Sequence, residues 1–156
     1  MDWIKNLQTA IDEQLIFGIP VLSIDLDMCR EARNLFKEYN AKYYGGELPD
    51  VDVVLNPLIS TEMVGCFMRD GLGILGYDNK RPAIVICPRL IESMRDLRTV
   101  MLHEMAHEYC WLHGITSVTG DGTHTIAFAN VCVEHGLAYA KGETNCSMTI
   151  LNEKEK

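Results

Sequence analysis

The stretch RDLRTVMLHEMAHEYCWLHG, residues 95 to 114, carries apolar side chains around almost its whole helical circumference. Leu97, Val100, Met101, Leu102, Met105, Ala106, Tyr109, Cys110, Trp111 and Leu112 leave no continuous polar stripe, so the spacing predicts a helix buried on most sides. Gly114 stands where a left-handed glycine closes such a helix. In its middle sit His103, Glu104 and His107, groups that are costly to bury without partners. A fold that buries this helix must give those three groups something to bind, and that requirement constrains the chain more than any other feature.

A metal ion meets the requirement. Residues four apart on an α-helix differ by about 40° in direction and ~6 Å along the axis, so the imidazoles of His103 and His107 can hold one ion from the same face. Glu104 points about 100° away from His103, which suits a group that reaches a water on that ion rather than the ion itself. This is the physical content of the pattern H-E-x-x-H: the metal acidifies water and polarises a scissile carbonyl, and Glu104 takes the proton and delivers it to the leaving amine.

Catalytic zinc sites generally use three protein ligands and keep one position open. His113 is too far along the same helix, ~15 Å from His103, and reads as a helix-end histidine. Downstream stand His124, Glu134 and His135. The segment THTIAFANVCVEHGLAYA reads as a helix opened by Thr123 or Gly122, with His124 in its first turn after a glycine-rich loop. That placement favours His124 as third ligand. Glu134 is the alternative if the middle of the helix faces the metal, and His135, before Gly136, reads as an ordinary helix-end residue.

The rest of the chain supplies a scaffold. Trp3, Ile4, Leu7, Ile11, Leu15 and Ile16 fall at helical spacing, and a second helix starts near Ser23 or Asp25 and runs to about Tyr44, where Gly45 and Gly46 stop it. Short β-rich runs follow at 51–56, 63–69, 72–78 and 83–88, with an Asp-Gly turn in RDGLG, and SMTIL near the end reads as one more short strand. The expected fold is α+β: a small, mostly antiparallel sheet of three or four strands packed against the metal-binding helix and further helices, in a zincin-like arrangement. Residues 1–24 form a helical extension, 25–140 the domain and 141–156 a tail. Either 63–69 or 72–78 can provide an edge strand to which an extended substrate adds through backbone hydrogen bonds.

The chain has 156 residues, enough for one domain with an ordinary core. With 14 basic and 22 acidic side chains its net charge is −8, the wrong sign for strong direct binding to nucleic acid. The cluster Lys80, Arg81, Arg89, Arg95 and Arg98 reads as a solvated rim. The N-terminus lacks a secretory pattern and no apolar run approaches the ~18 residues of a membrane span, so the expected location is cytoplasmic. Six cysteines, scattered singly without a C-x-x-C pair, are expected as reduced, mostly buried thiols.

Taken in order, LFKEYNAKYYGGELPDVDVVLN, VGCFMRDGLG, AIVICPRLI, TVMLHEMAHEYCWLHG and GDGTHTIAFANVC resemble the SprT-like zinc metalloproteases, the family that includes the protease of DNA-protein crosslink repair. The resemblance runs from about Leu35 to His135. It implies zinc held by His103, His107 and His124, Glu104 as general base and acid, and hydrolysis of peptide bonds in protein substrates, including proteins bound to DNA. The sequence departs from the family at Thr125, where a glycine usually follows the third histidine, and it lacks the cysteine-rich ribbon and basic tail that larger members use on DNA. Two other readings compete: a zinc-containing binding module without turnover, and a hydrolase using Glu134 as ligand.

Overall fold

A computed structural model describes residues 23–55, 64–71, 81–139 and 149–151. The expected N-terminal helix and the strand at 72–78 lie outside the described residues. In chain order the elements are α1 (Ser23–Tyr44), β1 (Asp52–Leu55), β2 (Gly65–Met68), β3 (Ala83–Ile86), a single 3-10 turn (Pro88–Leu90), α2 (Met94–Leu112), α3 (Ile126–Glu134), β4 (Leu137–Tyr139) and β5 (Thr149–Leu151).

Helix α1 buries Ala32, Leu35, Phe36 and Tyr39, a stripe at helical spacing. Gly45 and Gly46, at φ 61° and 79°, turn the chain out of the helix. The Asn40 amide then holds Leu48 from both sides, donating to its carbonyl at 3.0 Å and accepting from its N–H at 3.1 Å. That clasp starts β1 where it can pair.

The sheet has the order β1-β3-β2. Strand β3, the sequence AIVI, is buried along its whole length, as a central strand covered on both faces must be. It pairs with β1 in parallel, Val53 opposite Ile84, and with β2 antiparallel, Phe67 opposite Ile84. The α+β class stands, but this sheet is mixed rather than mostly antiparallel, because the parallel partner is β1 and the antiparallel β2 takes the edge among the described residues. The strand expected at SMTIL forms as β5, paired antiparallel with β4.

Helix α2 is the hub, packing against α1, α3, β2, β3, β4 and β5. Its start is reciprocal: the Ser93 hydroxyl accepts from the Asp96 N–H at 3.2 Å, and the Asp96 carboxylate accepts from the Glu92 N–H at 3.0 Å. Its end closes on Gly114 at φ 65°, with the Ile115 N–H bonded to the Cys110 carbonyl at 2.8 Å. Met101, Leu102, Met105, Ala106 and Cys110 are wholly buried. The helix is not buried all round, however, since Trp111 and Leu112 in its last turn are exposed. The five described cysteines, 29, 66, 87, 110 and 132, form no disulfide among themselves. No described helix is long and apolar enough to cross a membrane.

Candidate metal centre

His103 and His107 come from the middle of α2 and face the same way, as their spacing requires. His124 arrives differently from the expected helical turn. Residues 116 to 125 form a small hairpin: the Thr125 N–H bonds the Ser117 carbonyl, Val118 and His124 form a bridge, and the Thr119 N–H bonds the Thr123 carbonyl. Asp121 holds the tip, accepting from the Thr119 hydroxyl and from the Thr123 N–H at 3.1 Å, bonds that keep its carboxyl below the usual range. Gly122, at φ 85°, makes the turn.

Helix α3 therefore begins at Ile126, later than expected, and its N-cap is Thr125, whose hydroxyl accepts from the Phe128 N–H at 3.1 Å and donates to the Thr116 carbonyl at 2.6 Å. Thr125 is thus the cap that joins hairpin to helix. The helix also ends earlier, at Glu134, where the chain turns into β4.

Among the described residues, His103, His107 and His124 are the one group of His, Cys, Asp or Glu side chains able to hold a metal, with one ligand atom from each lying within 4.8 Å of the others. The Nε2 atoms of His107 and His124 are 3.1 Å apart. Two nitrogens bound to tetrahedral zinc at about 2.0–2.1 Å would stand roughly 3.3 Å apart, so the spacing fits a shared ion. Phe128 forms the floor: its ring stacks on His107 at 4.2 Å and on His124 at 4.6 Å, and meets His103 edge-on at 5.1 Å.

Electrostatics agree with the geometry. Burial pushes all three imidazoles below their ordinary value, well below for His103 and to about 3 for His107, with the neighbouring histidines adding to the effect on both. Neutral imidazoles keep the lone pairs that ligation needs. These residues can hold a divalent metal.

Glu104 lies beside the cluster, buried, with its carboxyl raised to about 8 by loss of solvent and opposed by a hydrogen bond from the Phe67 backbone N–H. The close approach of β2 depends on Gly65. A Cβ built there would fall 2.7 Å from Val100 Cγ1 and 2.9 Å from Glu104 Oε1. A strand with any larger residue at this point could not lie so near the helix.

The match to a family model is consistent with this arrangement: residues 32–149 fit that of the SprT-like family. The chain belongs to the SprT-like family. No curated protein and no solved structure matched the chain.

The other sequence candidates fall elsewhere in this SprT-like chain. His113 caps α2, its Nε2 3.3 Å from the Glu47 carboxylate. His135 caps α3, donating from Nδ1 to the Val131 carbonyl at 2.6 Å and stacking on Tyr44 at 4.3 Å. Glu134 is exposed at the end of α3 and stands outside the three-histidine group. Sequence reasoning missed Gly65 and Phe67, because their role depends on an approach between strand and helix that no local pattern encodes.

Proposed function

We propose that the protein is a zinc-dependent metallopeptidase that hydrolyses peptide bonds of protein substrates. The observation that carries the reading is the convergence of His103, His107 and His124 from two elements, with Glu104 next to His103 on α2. Membership of the SprT-like family, associated with metalloprotease-like domains, supports it. A zinc ion held by the three imidazoles supplies Lewis acidity and positive charge, which acidify water, polarise a carbonyl and favour ionised Glu104.

The chain's own groups do the rest. Glu104 accepts a proton from water at its carboxylate and returns it to the leaving amine, and the Phe67 N–H fixes the direction in which that carboxylate points. Phe128 excludes water beneath the imidazoles and holds their planes. Strand β2, which takes the edge of the sheet among the described residues, offers an extended substrate backbone partners. Net charge −8 disfavours a direct grip on phosphates, so a DNA-bound target would be engaged through its protein part.

The test is hydrolysis of an unfolded protein by zinc-loaded wild type and by Glu104→Gln. Loss of at least ~100-fold in turnover with unchanged zinc content is expected. Equal turnover in the two proteins would refute the role of Glu104, and stoichiometric zinc with no hydrolysis by wild type would favour the binding module.

A further inference from the structure

Trp111 is a large aromatic residue 42% exposed in the last turn of α2, the helix that carries His103, Glu104 and His107. It lies seven residues beyond Glu104, which on a helix returns to nearly the same face about 10 Å further along. Phe67 bridges the interval. Its backbone N–H reaches the Glu104 carboxyl, and its half-buried ring meets the Trp111 ring at 5.9 Å and 52°.

The strand explains why the two rings meet. Gly65 and Phe67 are two apart on β2 and share the face turned to α2. As the strand advances from Gly65 to Phe67, its neighbours on the helix advance from Val100 and Glu104 to Trp111. An aromatic pair, half-buried at Phe67 and exposed at Trp111, is therefore continuous with the candidate centre, and it sits beside the strand that takes the edge among the described residues.

We propose that Phe67 and Trp111 form an apolar subsite that receives a side chain of the substrate next to the bond being cut, and that they give the enzyme a preference for aromatic over small residues there. The occupant follows from position and chemistry. A chain running along β2 past Glu104 places a neighbouring side chain over these rings, and a flat apolar group gains both buried area and a ring-to-ring contact. This inference rests on the metallopeptidase reading and deepens it.

The test separates the two claims by using binding rather than turnover. The chain has two tryptophans, so Trp3→Phe leaves Trp111 as the single indole reporter. Zinc-loaded Trp3→Phe protein is titrated calorimetrically, with emission followed in parallel, using the hydroxamates of N-acetyl-phenylalanine and N-acetyl-alanine, which anchor on a metal and differ only in side chain. Expected is about tenfold tighter binding of the phenylalanine compound, with a change in Trp111 emission. Adding Trp111→Ala should bring the two affinities within about twofold of each other, and Trp111→Phe should restore most of the difference.

Equal affinities with unchanged emission would overturn the subsite and leave the metal reading standing. Failure of both compounds to bind zinc-loaded protein would overturn the metal reading and this inference with it. Concentration-dependent association that vanishes in Trp111→Ala, without any preference between the compounds, would make the pair a self-association face and overturn the inference.

Discussion

At the scale of single residues, the candidate centre depends on one missing side chain. Gly65→Ala would place a methyl group into Val100 and the Glu104 carboxyl, so the strand must retreat or the carboxyl must move. The histidines lie outside that contact, and zinc content should hold while kcat falls on the order of 10²-fold, the usual consequence of a misplaced catalytic group. Metal analysis beside steady-state kinetics checks it. One turn further along α2, Glu108 presents the opposite situation. Its carboxyl is fully buried, neither oxygen has a hydrogen-bond partner among the described residues, and burial, with a smaller push from Asp50, raises it to about 8 from an ordinary 4.5. Below the ordinary value both folded and unfolded chains hold the proton, and the group adds no pH dependence. From about pH 4.5 to 8 the unfolded chain releases a proton that the folded chain keeps, so stability falls as pH rises across that window. Glu108→Gln should therefore gain about 1–3 kcal/mol at pH 8, and much less near pH 4.5, in denaturant titrations of the chelated protein.

At the scale of elements, the hairpin at 116–125 and the cap at Thr125 decide how the third histidine reaches the other two. Asp121→Ala removes the acceptor that ties Thr119 to Thr123, leaving the His124 backbone less constrained. Zinc affinity is expected to fall about tenfold, measured by competition with a chromogenic chelator, while α2 keeps its helical signal. Thr125→Ala should cost about 1 kcal/mol through loss of the cap. Much of this level was legible in sequence. The helix ends at Gly45 and Gly114, the strand at β5 and the pair His103 and His107 follow from spacing and from turn residues. The hairpin did not, although Gly120-Asp121-Gly122 is the same kind of signal as the Asp-Gly at residues 70 and 71. Its apolar continuation reads as helix, and one residue of helix against one of hairpin is settled by the Thr125 cap, whose partners Thr116 and Phe128 lie on either side of it. The parallel pairing of β1 with β3 was equally hidden, because strand order depends on contacts across the intervening chain.

At the scale of the whole molecule, α2 holds the centre and the core together, so binding at one should be felt throughout the other. Met101, Leu102, Met105 and Ala106 anchor the helix in the same cluster as Phe36, Ile84 and Phe128, while His103 and His107 project from the same turns. An ion bound only by the folded chain stabilises it by mass action: free zinc at a hundred times its dissociation constant contributes ~2.7 kcal/mol. Calorimetric melting of the loaded protein should accordingly lie on the order of 5–10 °C above that of the chelated protein. The most direct test of the central claim is a crystal structure of the zinc-loaded protein with anomalous data collected at the zinc edge. One peak within about 2.0–2.1 Å of a ring nitrogen of His103, His107 and His124, with Glu104 beside it and not bound, is the predicted result. A peak coordinated by Glu134, or no peak among the three imidazoles, would contradict it.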